Sequence, residues 1–193
     1  MKGFLAGAIV AVVGMFLAVY IYFAAGFAPV ATSAPMMPFE RQFAHMALES
    51  RIDKEAPKNV AIPLNEENYL AGAHAYLDNC AVCHGAPAKQ PTAIARGMFP
   101  HPPKLTQGNG VTDDPAGETY WKVANGIRLS GMPGFKDSLS ETQMWQISIV
   151  LANADKLPPS VTAVLMGQGE AAPPPATLAP ASAAPTMPAP ATK

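Results

Sequence analysis

The chain has 193 residues, 49% of them hydrophobic, and a formal net charge of -1. Much of the apolar content sits in a leading segment and in an Ala/Pro-rich tail that cannot pack, so the core must come from the middle as one small domain. No basic stripe stands out, which argues against nucleic acid as a partner, and two cysteines are too few for a disulfide scaffold or a four-cysteine zinc site.

From Phe4 to Phe27 there is no charge, and Leu5, Ile9, Val13, Phe16, Ile21 and Phe23 spread around every face, which reads as a membrane span. These 24 residues reach about 36 Å at about 1.5 Å each, enough to cross a hydrocarbon layer of about 30 Å with some tilt. Tyr20 and Tyr22 lie toward the far end, where amphipathic rings favour an interface. A cleavable signal peptide is the competing reading, with Ala31-Thr32-Ser33-Ala34 as small residues for a peptidase. Its apolar core typically runs only about 7 to 15 residues, so the length favours an uncleaved anchor. Lys2 before the span puts the N-terminus in the cytoplasm and the rest of the chain on the other side.

Pro29, Pro35 and Pro38 then break helicity, and Phe39 to Ile52 resumes it with Phe39, Phe43, Met46 and Ala47 on one stripe, as a short amphipathic helix. His45, among Glu40, Arg41 and Glu49, reads as a solvated surface residue. Lys54 to Pro63 reads as linker.

Asn65 caps a helix that runs through Tyr69, Leu70, Ala73, Tyr76 and Leu77 into Cys80. Gly72 inside it costs up to about 1 kcal/mol and so signals the close approach of another backbone. The expected visitor is a helix begun by Ser140, with Gln143 completing a capping box and Trp145, Ile149 and Ala152 as its apolar stripe. Leu157-Pro158-Pro159 stops that helix. Between the two, Pro115 to Ala124 reads as a third helix, opened by Asp113 and Asp114 and closed by Gly126. Val161 to Met166 has room for one more turn. From Gly167 onward Ala, Pro, Thr and Ser without periodicity predict a disordered, semi-extended tether.

The first of these helices ends in Cys80-Ala81-Val82-Cys83-His84, which meets the requirements for covalent attachment of haem c. Each porphyrin vinyl group can form a thioether with a cysteine, two intervening residues on a helical turn bring both sulfurs to the macrocycle edge, and His84 presents a ring nitrogen to iron. Zinc would need a second ligand pair, and no other cysteine supplies one. A thioredoxin-like dithiol would sit in a βαβ unit, whereas the approach here is helical. A lone disulfide is the surviving alternative, and it leaves His84 without a role.

Residues from about 66 to 157 resemble a class I cytochrome c domain of the membrane-anchored bacterial kind. Gly72 and Tyr76 stand eight and four residues before the attachment motif, as in that family. Pro103-Lys104-Leu105 fits its Pro-x-Leu element, whose proline carbonyl accepts the second N–H of the proximal histidine. Asn125-Gly126-Ile127 followed by Gly131-Met132-Pro133-Gly134-Phe135 fits its turn and its distal methionine loop. A closing helix with a tryptophan completes the pattern. Two features depart from it: Val150 stands where an aromatic is common, and the segment between His84 and Pro103 is long and carries Met98 and His101.

The resemblance implies an all-α fold with a small helical haem domain of the cytochrome c fold over 64–159; the residue patterns above set around it a single transmembrane helix within 1–30, a linker with a short amphipathic helix over 31–63, and a disordered tail over 160–193. It implies one covalent haem c on Cys80 and Cys83, with His84 and Met132 as axial ligands. Met132 is preferred because its Gly- and Pro-bounded loop can hold a thioether at iron. Met98 is assigned to the haem edge or core, His101 to the surface or haem edge, Met144 to the core and His74 to solvent. Pro103, Leu105, Trp121 and Arg128 are haem contacts by resemblance, the last two as donors to a propionate. Trp121 in plain core and Arg128 on plain surface are equally open.

The implied role is single-electron transfer between periplasmic respiratory redox proteins, as a free carrier or a haem subunit of a larger complex. The haem domain stands outside the inner membrane, because in such bacteria the motif is filled after export. No small-molecule substrate and no catalytic residue is expected. A five-coordinate haem acting as gas sensor or peroxidase is the alternative.

Overall fold

A computed structural model describes residues 2–107 and 113–168. It contains eight helices among the described residues: α1 Lys2–Ala24, α2 Glu40–Glu55, α3 Glu66–Asn79, α4 Ala81–His84, α5 Ala93–Gly97, α6 Ala116–Asn125, α7 Glu141–Ala152 and α8 Pro159–Leu165. The described residues hold no strand, only an isolated bridge between Ile127 and Met132. The all-α expectation holds.

Helix α1 is long and apolar enough to cross a membrane, with a mean hydropathy of 2.6 over Gly3–Ala24 and no buried residue. The core lies in the middle of the chain, where α3 crosses α7 and each also packs against a third helix, α8 on α3 and α6 on α7. Local chemistry starts both central helices. The Asn65 side chain accepts the Asn68 N–H at 2.9 Å, and Ser140 and Gln143 form the reciprocal capping box, each satisfying donors that the first turn leaves without helical partners.

Gly72 is where α3 and α7 meet. A β-carbon there would lie 2.2 Å from the Gln146 carbonyl oxygen and 2.8 Å from a Val150 methyl. The crossing therefore needs a hydrogen at this position, and Val150, in place of the family's aromatic, fills the space beside it while fully buried. Around the crossing Ala73, Tyr76, Ile147 and Leu151 close a dry cluster.

Two sequence expectations change. Residues 160–165 do not begin the tail: α8 starts at Pro159, after Pro158 at its N-cap, and buries Val161, Val164 and Leu165 in the core cluster. Burying a Val or Leu side chain contributes about 1.5–3 kcal/mol, enough to fold seven residues whose composition looks tail-like. The rest of the expected tail, from residue 169, lies outside the described residues. The second change is in α2. Its Phe39, Phe43 and Met46 stripe faces solvent, while Ile52 and Ala56 are the residues it buries. The linker beyond it is also packed, since a β-carbon at Gly117 of α6 would lie 1.8 Å from the Pro57 carbonyl oxygen.

Candidate functional site

The attachment sequence occupies the break between α3 and α4. Cys80 closes α3, its N–H bonded to the Tyr76 carbonyl at 2.8 Å. The chain then makes a single turn in which the N–H groups of Cys83 and His84 both reach the Cys80 carbonyl, at 3.1 and 2.9 Å. One helical turn thus carries both thiols and the imidazole. Gly85, at φ 77°, ends it. The fully buried Tyr76 pins this end from below, its hydroxyl donating to the Gly85 carbonyl at 2.6 Å. Burial, then the neighbouring Cys80, holds that phenol protonated by raising its pKa.

Both cysteines are unpaired and half-buried. Burial, and after it the proximity of Cys83, pushes the Cys80 thiol up to about 12. A redox-active Cys-x-x-Cys lowers a thiol pKa to make a thiolate nucleophile, and the shift at Cys80 runs the other way. Among the described residues no group of three or more His, Cys, Asp or Glu is placed to hold a metal ion.

His84 Nδ1 lies 2.8 Å from the Pro103 carbonyl oxygen. A carbonyl only accepts, so Nδ1 carries the proton and Nε2 keeps its lone pair. Burial lowers the His84 pKa, opposed in part by the Pro103 bond, and a neutral ring is the form that can ligate a metal. Beside it opens a cavity of about 420 Å³, lined by Cys83, His84, Ala95, His101, Pro102 and Thr106 among others. Lys89, Arg96 and Lys104 also line it. Thr92 ties α5 to this wall, its hydroxyl donating to the Val82 carbonyl at 2.6 Å while accepting the Ala95 N–H.

The loop after α6 is built as a closed staple. Gly126, at φ 67°, lets the chain fold back so tightly that a β-carbon would fall 2.7 Å from the Met132 carbonyl oxygen. Ile127 N–H donates to that oxygen at 3.1 Å. Ser130 Oγ donates to Ile127 and accepts the Met132 N–H, and Phe135 N–H returns to the Val123 carbonyl. Met132 is half-buried against the core cluster. It lines a second concavity, of about 390 Å³, with Asn125, Ile127, Arg128, Leu129 and Gly131.

The structure therefore gathers Cys80, Cys83, His84 and Pro103 around one turn, and Met132 and Arg128 around the other loop. Leu105 is half-buried on the core. Trp121 is spoken for elsewhere, since its indole N–H donates to Glu55 of α2 at 3.1 Å. Arg128 is exposed at the rim. Of the rival residues, His101 lines the His84 cavity, and the Met98 methyl comes within 2.9 Å of where a Gly131 β-carbon would be. Met144 is buried as expected, whereas His74 is half-buried and not out in solvent. Sequence reasoning missed Thr92 and Ser130. Thr92 had a readable signal, a cap residue before Ala93-Ile94-Ala95.

Two unpaired cysteines, an imidazole with its free nitrogen directed by a backbone carbonyl, and a cavity at their side form a donor set that fits haem c. Residues 67–148 match the family described as Cytochrome C oxidase, cbb3-type, subunit III. This segment is a cytochrome c domain. No curated protein and no solved structure was found to match the chain. The match supports a haem electron-transfer protein. The matched range stops inside α7, so α8 and the packed α2 segment lie outside it.

Proposed function

We propose that the protein is a membrane-tethered, single-haem cytochrome c that carries one electron at a time between respiratory redox proteins on the periplasmic face of the inner membrane. The observation that carries this reading is the α4 turn, where Cys80 and Cys83 are available for thioethers and the Pro103 carbonyl holds the His84 ring in its ligating tautomer. When bound, haem supplies a one-electron iron couple. The chain's own residues do the rest. Cys80 and Cys83 would hold the macrocycle through thioethers, His84 would provide a nitrogen to its iron, and the stapled 126–135 loop would present the Met132 thioether to it. Arg128, exposed beside Met132, is suited to a propionate.

Ligation of the iron by both His84 and Met132 would leave no open site for a substrate, as suits a carrier. The matched family is named for an oxidase subunit, which supports respiratory partners, whether met by diffusion or within a complex. Helix α1 supports the tether. A five-coordinate gas sensor or peroxidase would need Met132 away from iron, and the hydrogen bonds on both sides of Met132 favour a fixed thioether. Absorption spectra of ferric and ferrous protein with and without carbon monoxide test the reading: a low-spin haem indifferent to carbon monoxide is expected, and rapid carbon monoxide binding by the native protein would overturn it in favour of the sensor or peroxidase.

A further inference from the structure

Helix α2 buries one face and leaves the opposite one bare. Ile52 and Ala56, at 4% and 6% exposure, form the side turned to the haem domain. Trp121 on Glu55 and Gly117 against Pro57 fasten the same end. Phe43 lies nine residues before Ile52, which at about 100° per residue is about half a turn around the helix. There Phe39, Phe43 and Met46 stand 65%, 62% and 57% exposed, the two rings 6.4 Å apart. Ser50, Asp53 and Lys54 continue the same face as polar residues, so the apolar patch is confined to the first half of the helix.

That half is the one nearer in sequence to α1, whose described side chains are all exposed. No charged residue lies between Ala24 and Phe39, and Phe27, Val30 and Met36 in this interval are exposed as well. Exposed apolar side chains thus follow one another from the end of α1 to Met46.

We propose that the first half of α2 lies in the interface of the bilayer that α1 enters, with Phe39, Phe43 and Met46 among the acyl chains and Arg41, His45 and Glu49 toward water. The inference rests on α1 being a membrane anchor. A lipid surface is the occupant because the patch continues, in chain and in chemistry, from a helix suited to hydrocarbon. Because Ile52 and Ala56 grip the haem domain from the other side, α2 becomes a spacer about one helix diameter thick, about 10–12 Å. The haem domain is then held against the membrane surface, where a membrane-embedded redox partner presents its own site, and does not swing on a slack leash.

The test uses full-length holoprotein carrying a single added cysteine at Val13, Phe43 or Glu49. Each is spin-labelled and reconstituted in vesicles of phosphatidylethanolamine and phosphatidylglycerol; the thioethers leave the added thiol as the sole target. All three positions are exposed, and an unchanged haem spectrum verifies folding. At Val13 and Phe43 the ratio of collisions with oxygen to collisions with a water-soluble nickel chelate should exceed that at Glu49 several-fold. If Val13 reads as lipid while Phe43 matches Glu49, the interfacial placement is overturned and the anchor stands. If Phe43 is shielded from both reagents, protein covers the face and the proposal fails. If Val13 itself reads as water, the anchor fails and the proposal with it.

Discussion

The helical framework and the two site loops are held together by different physics. Where α3 crosses α7, cohesion comes from side chains removed from water: Tyr76, Ile147 and Val150 are fully buried, and Gly72 lets the backbones touch. The segments 85–107 and 126–135 hold few buried residues. Instead they hang on individual hydrogen bonds: His84 to Pro103, Thr92 to Val82, Ser130 to Ile127. Met132 and Leu105 remain half-covered against the core cluster. A framework that buries its own apolar surface can persist alone, whereas loops with half-covered apolar groups gain order from a further surface, which a bound haem supplies.

The largest effect that would probe this contrast comes from Cys80→Ala with Cys83→Ala. Covalent haem should vanish on a haem-stained denaturing gel. Hydrogen exchange should then speed up by orders of magnitude in 85–107 and 126–135, and much less in α3 and α7. Equal loss of protection throughout would show that the framework too depends on the cofactor, and retained covalent haem would refute the attachment site.

At the loops alone, Met132→Ala should turn the ferric haem high-spin and open it to carbon monoxide, while Met98→Ala leaves a low-spin spectrum. The reverse outcome would move the distal ligand to Met98. In the framework alone, Gly72→Val must displace the Gln146 carbonyl or the whole of α7. Overpacking of this kind costs about 1–3 kcal/mol or more, read as a lower denaturant midpoint for loss of the native haem spectrum. Where α8 packs on α3, Leu165→Ala should cost about 2–5 kcal/mol if α8 belongs to the folded domain, and near nothing if 160–168 behaves as tail.

The smallest effect concerns Trp121. Its N–H is bound to a Glu55 carboxylate that remains partly exposed, so Trp121→Phe should cost about 1 kcal/mol and leave the reduction potential unchanged. A shift of tens of millivolts would show instead that the indole acts on the haem, as the family resemblance implies.

What the sequence by itself determined were features set by neighbours within about one helical turn. The Asn65 cap, the Ser140 and Gln143 box, the Gly126 stop and the Cys80 to His84 run each act over four residues or fewer, where chain connectivity already brings the partners together. The resemblance supplied one longer link, His84 to Pro103. Gly72 marked a close backbone approach, though not how Val150 would fill the space beside it.

Tertiary structure alone decided what covers each apolar face. Periodicity placed Phe39, Phe43 and Met46 on one stripe of α2, yet Ile52 and Ala56, on the other side, are the residues that bury. It likewise placed Trp121 on a helix without revealing a partner 66 residues away in sequence. Val161 and Leu165 looked like the start of a tail until α3 offered them a surface. The physical reason is common to all three. Burial is non-directional and depends on which surfaces the folded chain brings into reach, and that information resides in the packing rather than in any window of sequence.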